Sequence, residues 1–207
     1  VTQVAVIHNK TAYGQGIAEV FKKTFEAQNG KVALFDGLAS EEMDFRATIS
    51  AIQKSGAQAV FWGGMYNQAG PFYNQLRQAG FKGAFLGGDG IYDNELIKTV
   101  GAKADSIFIT FGPDFIHSEA AKPFLAAYKQ KFNQEAGGYA IYGYDAANIL
   151  LEAMKKAGTT DADKVSEALR SQDWKGLMGD IGFDAKGDLK KANFVIWTIR
   201  AGAFAVR

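Results

Sequence analysis

With 207 residues, 47% of them hydrophobic and 22% charged, the chain has enough apolar material for one large or two small packed domains. A net charge of +1 gives no electrostatic basis for binding nucleic acid or an anionic membrane, and no apolar run is long enough to span a bilayer. The lack of cysteine excludes a disulfide framework, a thiolate metal site and a cysteine nucleophile, and two histidines, His8 and His117, are too few for a histidine-rich metal site.

The chain opens with VTQVAV, which passes almost directly into a strand. No basic segment precedes an apolar core there, so no signal peptide is expected; an intracellular protein or a mature or trimmed form would both fit. From this point an apolar strand runs four times into a turn containing Gly or Asn and then into an amphipathic helix. The strands are VAVIH (4–8), KVALFD (31–36), AQAVFW (57–62) and GAFLGG (83–88), and a fifth apolar run, DSIFIT (105–110), follows. Strands this apolar are expected to be covered on both faces, as in a parallel sheet flanked by helices. The fold class is therefore α/β with a doubly wound parallel sheet. Such a sheet places ligands beyond the carboxyl ends of its strands, here at 9–16, 63–67 and 87–92.

The first helix is expected over 13–28, with Ile17, Val20, Phe21, Thr24 and Phe25 as one buried stripe and Asn29-Gly30 as its C-terminal stop. The second follows Asp44 as N-cap, buries Phe45, Ile49 and Ile52, and stops at Ser55-Gly56. Pro71 suits the first turn of the third, which turns Phe72, Leu76 and Ala79 inward and ends at Gly80. A short fourth helix follows Asp93, with Leu96, Ile97 and Val100 inward.

Phe111-Gly112-Pro113 then breaks the pattern. Three helices are expected at 118–133, 143–157 and 161–171, with Pro123 in the first turn of the first. Strands at 178–183 and 193–199 read as a β-hairpin closed by Ala185-Lys186-Gly187-Asp188. These helices show apolar faces but have no parallel sheet of their own to cover, so this segment is expected to pack on a sheet supplied by other sequence.

At the strand ends, Tyr13-Gly14-Gln15-Gly16 lacks both the third glycine of a dinucleotide loop and a Walker lysine. Either Tyr13 projects into a cleft while the glycines let a ligand approach, or it covers a strand end. Gly63-Gly64-Met65-Tyr66-Asn67 offers a soft thioether wall at Met65, or a turn with Met65 in the core. In Gly87-Gly88-Asp89-Gly90, Asp89 suits an ammonium partner, while Asp-Gly is equally ordinary turn chemistry. The run Tyr139–Asp145 is dense in aromatics before a helix; it suits ligand contact or core cover, with Asp145 at a helix start. No nucleophile elbow and no base–nucleophile pairing involves His8, so no catalytic residue, metal or cofactor is expected, and the chain does not read as an enzyme.

Taken in order, IHNKTAYGQGIAEVF, LFDGLASEEMDFRATISAIQ, AVFWGGMYNQAGPFYNQLRQAGF, FLGGDGI, YAIYGYDAANIL and MGDIGFDAKGDLKKANFVIW resemble the leucine/isoleucine/valine-binding proteins, the periplasmic substrate-binding components of branched-chain amino-acid ABC importers. The resemblance covers essentially all 207 residues. It implies a type I periplasmic-binding-protein fold, in which two α/β lobes joined by three crossover strands enclose the amino acid. On that mapping the chain starts where the second lobe starts and lacks most of the first. Residues 1–110 would be second lobe, 111–190 a partial first lobe of helices plus a hairpin strand, and 191–207 the third crossover and the return to the second lobe.

The resemblance also implies ligand-binding positions. Tyr13 matches a tyrosine lining the pocket. Asp89 matches an acidic residue that pairs with the ligand α-ammonium, and Tyr139 an aromatic that packs on the ligand side chain. Met65 stands where leucine-type relatives hold tyrosine, so the side-chain preference is open. Expected partners are a small amino acid, branched-chain or otherwise apolar, and an importer permease. A homodimer through the uncovered partial lobe is a further expectation, and the expected location is periplasmic, or extracellular and membrane-anchored in full-length form. The alternative function is the ligand-sensing extracellular domain of a receptor with the same fold.

Overall fold

The computed structural model describes residues 1–101, 104 and 106–207. The chain divides into two compact units, Val1–Phe111 with Val195–Arg207, and Gly112–Phe194.

The first unit is built on a seven-stranded sheet. Its strands are β1 (Gln3–His8), β2 (Lys31–Gly37), β3 (Ala59–Gly63), β4 (Ala84–Gly87), β5 (Ile107–Phe111), β8 (Val195–Arg200) and β9 (Ala203–Val206), in the order β2-β1-β3-β4-β5-β8-β9. The first five run parallel; β8 is antiparallel to β5 and β9 to β8. The α/β fold with a mostly parallel sheet is the one expected. β1 and β3, each between two parallel neighbours, are buried along almost their whole length. β2 is an edge strand and stays half-exposed. The expected fifth strand included Asp105, which lies outside the described residues.

Helix α1 (Ala12–Ala27) covers one face, with Ile17, Ala18, Phe21 and Phe25 packing on Val4, Val6, Ala59 and Phe61. The expected stripe is corrected at two positions: Val20 and Thr24 face solvent, and the small Gly14 and Ala18 take the buried places. A helix lying this close to a sheet accepts small residues at the contact and large ones at its margins. On the other face, α2 (Arg46–Ser55) and α3 (Tyr66–Gln78) bring Phe45 and Phe72 into an aromatic cluster with Trp62 and Phe85. Helix α4 (Asn94–Val100) lies beside α3, capped by the Asp93 side chain, which accepts from the Glu95 amide.

Helix α3 begins five residues earlier than its proline suggested, at Tyr66 rather than Pro71. Pro71 lacks the amide that would reach the Asn67 carbonyl, and one lost bond is tolerated because Gln68, Ala69, Phe72 and Leu76 are all buried. Ala79 is exposed rather than part of the stripe.

The second unit contains α5 (Lys122–Phe132), α6 (Ala140–Ala157), α7 (Ala162–Arg170) and a small hairpin of β6 (Trp174–Gly176) and β7 (Gly179–Ile181). Its core is modest: Ile149 and Ala153 of α6, Val165 and Ala168 of α7, Trp174 and Ile181. The expected hairpin between 178–183 and 193–199 does not form. The 178–183 segment pairs backward with β6, and β8 joins the first unit's sheet, because its buried run Trp197, Thr198 and Ile199 needs neighbours on both sides. The turn at 184–188 is present, closed by a single bridge between Phe183 and Leu189. Asp145 is no helix-start residue either. It lies six residues into α6, buried, and accepts 2.9 Å hydrogen bonds from the Leu177 and Met178 amides at the tip of the hairpin.

Candidate ligand cradle at the strand ends

In the order β2-β1-β3, the chain leaves β1 toward one edge and β3 toward the other, so a crevice opens at the carboxyl ends of β1 and β3. The two ends are held together by the Asn9 amide donating to the Gly63 carbonyl at 3.0 Å. Close approach here demands glycine. A Cβ on Gly63 would sit 2.3 Å from the Gly14 carbonyl oxygen, and one on Gly14 would sit 2.5 Å from the Gly63 carbonyl oxygen. Thr11 caps α1 by accepting from the Gly14 amide, and Asn9 Oδ1 accepts from the Thr11 hydroxyl at 2.6 Å. Those bonds fix the direction in which Tyr13 leaves the helix.

The Tyr13 hydroxyl donates to Asp89 Oδ1 at 2.8 Å and accepts from the Gly90 amide at 2.9 Å. Asp89 opens a 3-10 turn, Asp89–Ile91, directly after β4. A Cβ on Gly90 would lie 2.7 Å from the Tyr13 hydroxyl and 2.9 Å from the Gly64 carbonyl, so only glycine lets the three loops meet. Burial, and then the bond to Asp89, push the Tyr13 phenol up to about 12, because both disfavour a second negative charge beside the carboxylate. Tyr13 is therefore a proton donor across the physiological range. A carboxylate offers about four acceptor sites, so the phenol does not exhaust it.

Met65 stands at the start of α3 with 42% of its surface exposed, its carbonyl accepting from the Trp62 indole and the Ala69 amide. It is exposed at the end of β3 and is not core. Tyr13 in the first turn of α1, Met65 at the start of α3 and Asp89 in the turn after β4 all follow strands β1, β3 and β4 at their carboxyl ends. Tyr139 belongs to the second unit, where it precedes α6, is 48% exposed and approaches Tyr142 at 6.4 Å between ring centroids. His8 closes β1 as a buried neutral ring: its Nδ1 accepts from the Lys10 amide at 3.1 Å, and burial lowers its basicity.

Two participants escaped sequence reading. The Gly90 amide is a main-chain donor, invisible in a letter code, although the Asp-Gly pair marked the turn. Tyr92 ends that turn and stacks on rings far along the chain. No group of three metal-ligating side chains occurs among the described residues, and no helix there is long and apolar enough to cross a membrane.

The family described as Periplasmic binding protein matches residues 1–203. The Leu/Ile/Val-binding protein homolog 1 of Brucella abortus is 37% identical over 203 residues, 97% of this chain and 54% of its own. The leucine-, isoleucine-, valine-, threonine- and alanine-binding protein of Pseudomonas aeruginosa is 36% identical over 194 residues, 94% of this chain and 52% of its own. Among solved structures, the leucine-binding protein LivK of Thermotoga maritima superposes with a TM-score of 0.88 at 28% identity, over 100% of this chain and 59% of that one. The branched-chain amino-acid transporter substrate-binding protein LivJ of Streptococcus pneumoniae, in complex with isoleucine, gives 0.81 at 27%, over 100% and 60%. The chain spans about half the length of the curated relatives it matches. With its strand order, its strand-end crevice and a family match running almost from end to end, the chain belongs to the periplasmic binding protein family.

Proposed function

We propose that the chain carries one half of an amino-acid clamp, and that the protein it represents is the solute-binding component of a periplasmic ABC importer rather than an enzyme. The observation that carries this reading is the Asp89 carboxylate, bonded by Tyr13 at the crevice where β1, β3 and β4 end. In this reading Asp89 holds the ligand ammonium in a charge-assisted hydrogen bond. Tyr13 and Met65 shape the side-chain pocket. An apolar side chain fits such walls, and the thioether of Met65 adapts to more than one. Relatives named for leucine, isoleucine and valine binding support the ligand class. A solute-binding protein delivers its ligand to a membrane permease, the partner this reading implies. In a two-lobed protein the ligand favours closure through contacts with both lobes. In this reading residues 1–110 with the tail belong to one lobe, and 111–190 are part of the other.

The carboxylate end of the ligand needs its own donors. Each contact to a charged group contributes about 1.5–3 kcal/mol, or roughly 10- to 150-fold in affinity. A chain lacking them should bind weakly. Calorimetry with leucine, isoleucine, valine and phenylalanine tests this: binding weaker than micromolar, and stronger for these than for glutamate or lysine, is expected. Equal binding of glutamate would overturn the apolar pocket.

A homodimer through the surface of the second unit is part of this proposal. Helix α5 has no buried residue although it carries Phe124, Leu125, Tyr128 and Phe132, and Tyr144, Leu150 and Leu151 of α6 are exposed. Apolar faces of this kind associate. Light scattering should give a mass above that of the monomer; a monomeric mass without apolar-dye binding would contradict it.

A further inference from the structure

Tyr92 is the C-terminal residue of the turn that Asp89 begins, and its amide donates to the Asp89 carbonyl at 2.8 Å. Its ring stacks between two others. Phe111 lies at 4.3 Å and 16° on one side and Phe204 at 4.2 Å and 21° on the other, while Trp197 meets it edge-on at 5.0 Å and 63°. The strand register explains how three distant residues converge. Ile109 pairs with Trp197 and Ile199 with Phe204, and side chains two apart along a strand share a face. Phe111, Trp197 and Phe204 therefore line one face of β5, β8 and β9. Aromatic pairs of this geometry contribute beyond their buried area. Beneath the turn, buried Ile91 fills the space that a Cβ on Gly87 would need.

Asp89-Gly90 is short, and glycine resists no rotation. The turn that carries the Asp89 carboxylate is held by the Tyr13 hydroxyl and, at its C-terminal end, by the Tyr92 stack. Phe111 is also the last residue of β5 before the chain passes to the second unit, and Val195, its in-register partner, is the first of β8 on return. The stack grips the turn to the two strands that carry the chain between units.

We infer that Tyr92 is a positioning residue for the ligand cradle, holding the Asp89 turn against β5, β8 and β9 so that the carboxylate meets Tyr13. This rests on Asp89 being a binding residue, but the geometry it concerns can be read without any ligand.

The test uses the 207-residue chain with 13Cζ-labelled tyrosine, the Tyr13 resonance being assigned from Tyr13→Phe. In the parent, Tyr13 should stay protonated where ordinary tyrosines titrate, near 10, and titrate near 12. Tyr92→Phe keeps the stack and should leave that unchanged. Tyr92→Leu should move Tyr13 down toward 10, a shift that mere loss of global stability would not produce in the folded protein. Should Tyr92→Leu not fold, Phe204→Leu, which removes one side of the stack, should give a smaller shift in the same direction. A Tyr13 titration unchanged in every folded Leu variant would overturn the inference and leave the amino-acid reading standing. Tyr92→Phe behaving like Tyr92→Leu would overturn it too, since the hydroxyl and not the stack would then matter. Failure of amino-acid binding alongside the expected shifts would refute the ligand reading alone.

Discussion

The Tyr13 hydroxyl reaches across 76 positions of sequence to donate to Asp89 Oδ1 at 2.8 Å. This bond ties the loop after β1 to the loop after β4 over the carboxyl end of the strand between them, β3. It also leaves a carboxylate at the mouth of the crevice whose neutral partner cannot become a competing anion at ordinary pH.

Tyr13→Phe deletes the donor while keeping the ring. Urea denaturation should show a loss of about 1.5–3 kcal/mol, the range for a hydrogen bond to a charged group, toward its lower end because the pair is only part-buried. A change below the error of the midpoint would mean that Asp89 finds water instead at no cost.

Gly63→Ala should be among the most damaging small changes in the first unit. The new methyl would stand 2.3 Å from a main-chain oxygen, which no side-chain rotation relieves. A loss of about 1–3 kcal/mol is expected, measured as a lowered melting temperature. Gly16→Ala, where a Cβ meets nothing within 4 Å, is the control and should be neutral or slightly stabilising.

The buried ring of His8 makes stability depend on pH. Burial lowers its basicity in the folded state; Asp36 and Glu19 oppose that shift and Lys10 adds to it. As pH falls below the ordinary value of 6.5, the unfolded chain takes up the proton before the folded one does, so stability declines. His8→Asn, which keeps an acceptor for the Lys10 amide, should flatten this part of a melting-temperature profile between neutral and mildly acidic pH. An equally steep decline in the variant would place the titrating group elsewhere.

Asp145→Ala should loosen the second unit from within. It orphans the Leu177 and Met178 amides at the hairpin tip, at about 1–3 kcal/mol for each one left without water. Trp174, packed in the same small core, is the reporter: its emission should shift to the red at lower denaturant than in the parent. Asp145→Asn keeps one acceptor oxygen and should recover part of the loss.

Local chemistry made much of this legible. Val4–Ile7 and Ala59–Trp62 are apolar on both faces, and only a covered parallel sheet uses strands of that kind. Gly56 and Asp93 stop or start helices through their own backbone preferences, and they did so where expected. Long-range choices were harder to read. Nothing local tells Val195–Arg200 to pair with β5 and β9 rather than with the nearer segment before the 184–188 turn; burial of Trp197 decides it. Pro71 looked like a helix start because its cost is local, while the burial that outweighs it is not. In the cradle, Tyr13 and Asp89 were identifiable as strand-end residues and through family resemblance. Their bond, the Gly90 amide and the Tyr92 stack depend on strand order, which spacing alone does not reveal.

The proposed pairing of Asp89 with an ammonium group is tested most directly by nuclear magnetic resonance on this chain, following the Gly90 amide and the Tyr13 ring. The titrants are leucine, 3-methylbutylamine, which keeps the ammonium but not the carboxylate, and 4-methylpentanoate, which keeps the carboxylate but not the ammonium. Leucine and the amine should both shift the Gly90 and Tyr13 signals, the acid should not, and Asp89→Asn should abolish the response. Shifts from 4-methylpentanoate equal to those from leucine, or an undiminished response in Asp89→Asn, would contradict ammonium recognition at this cradle.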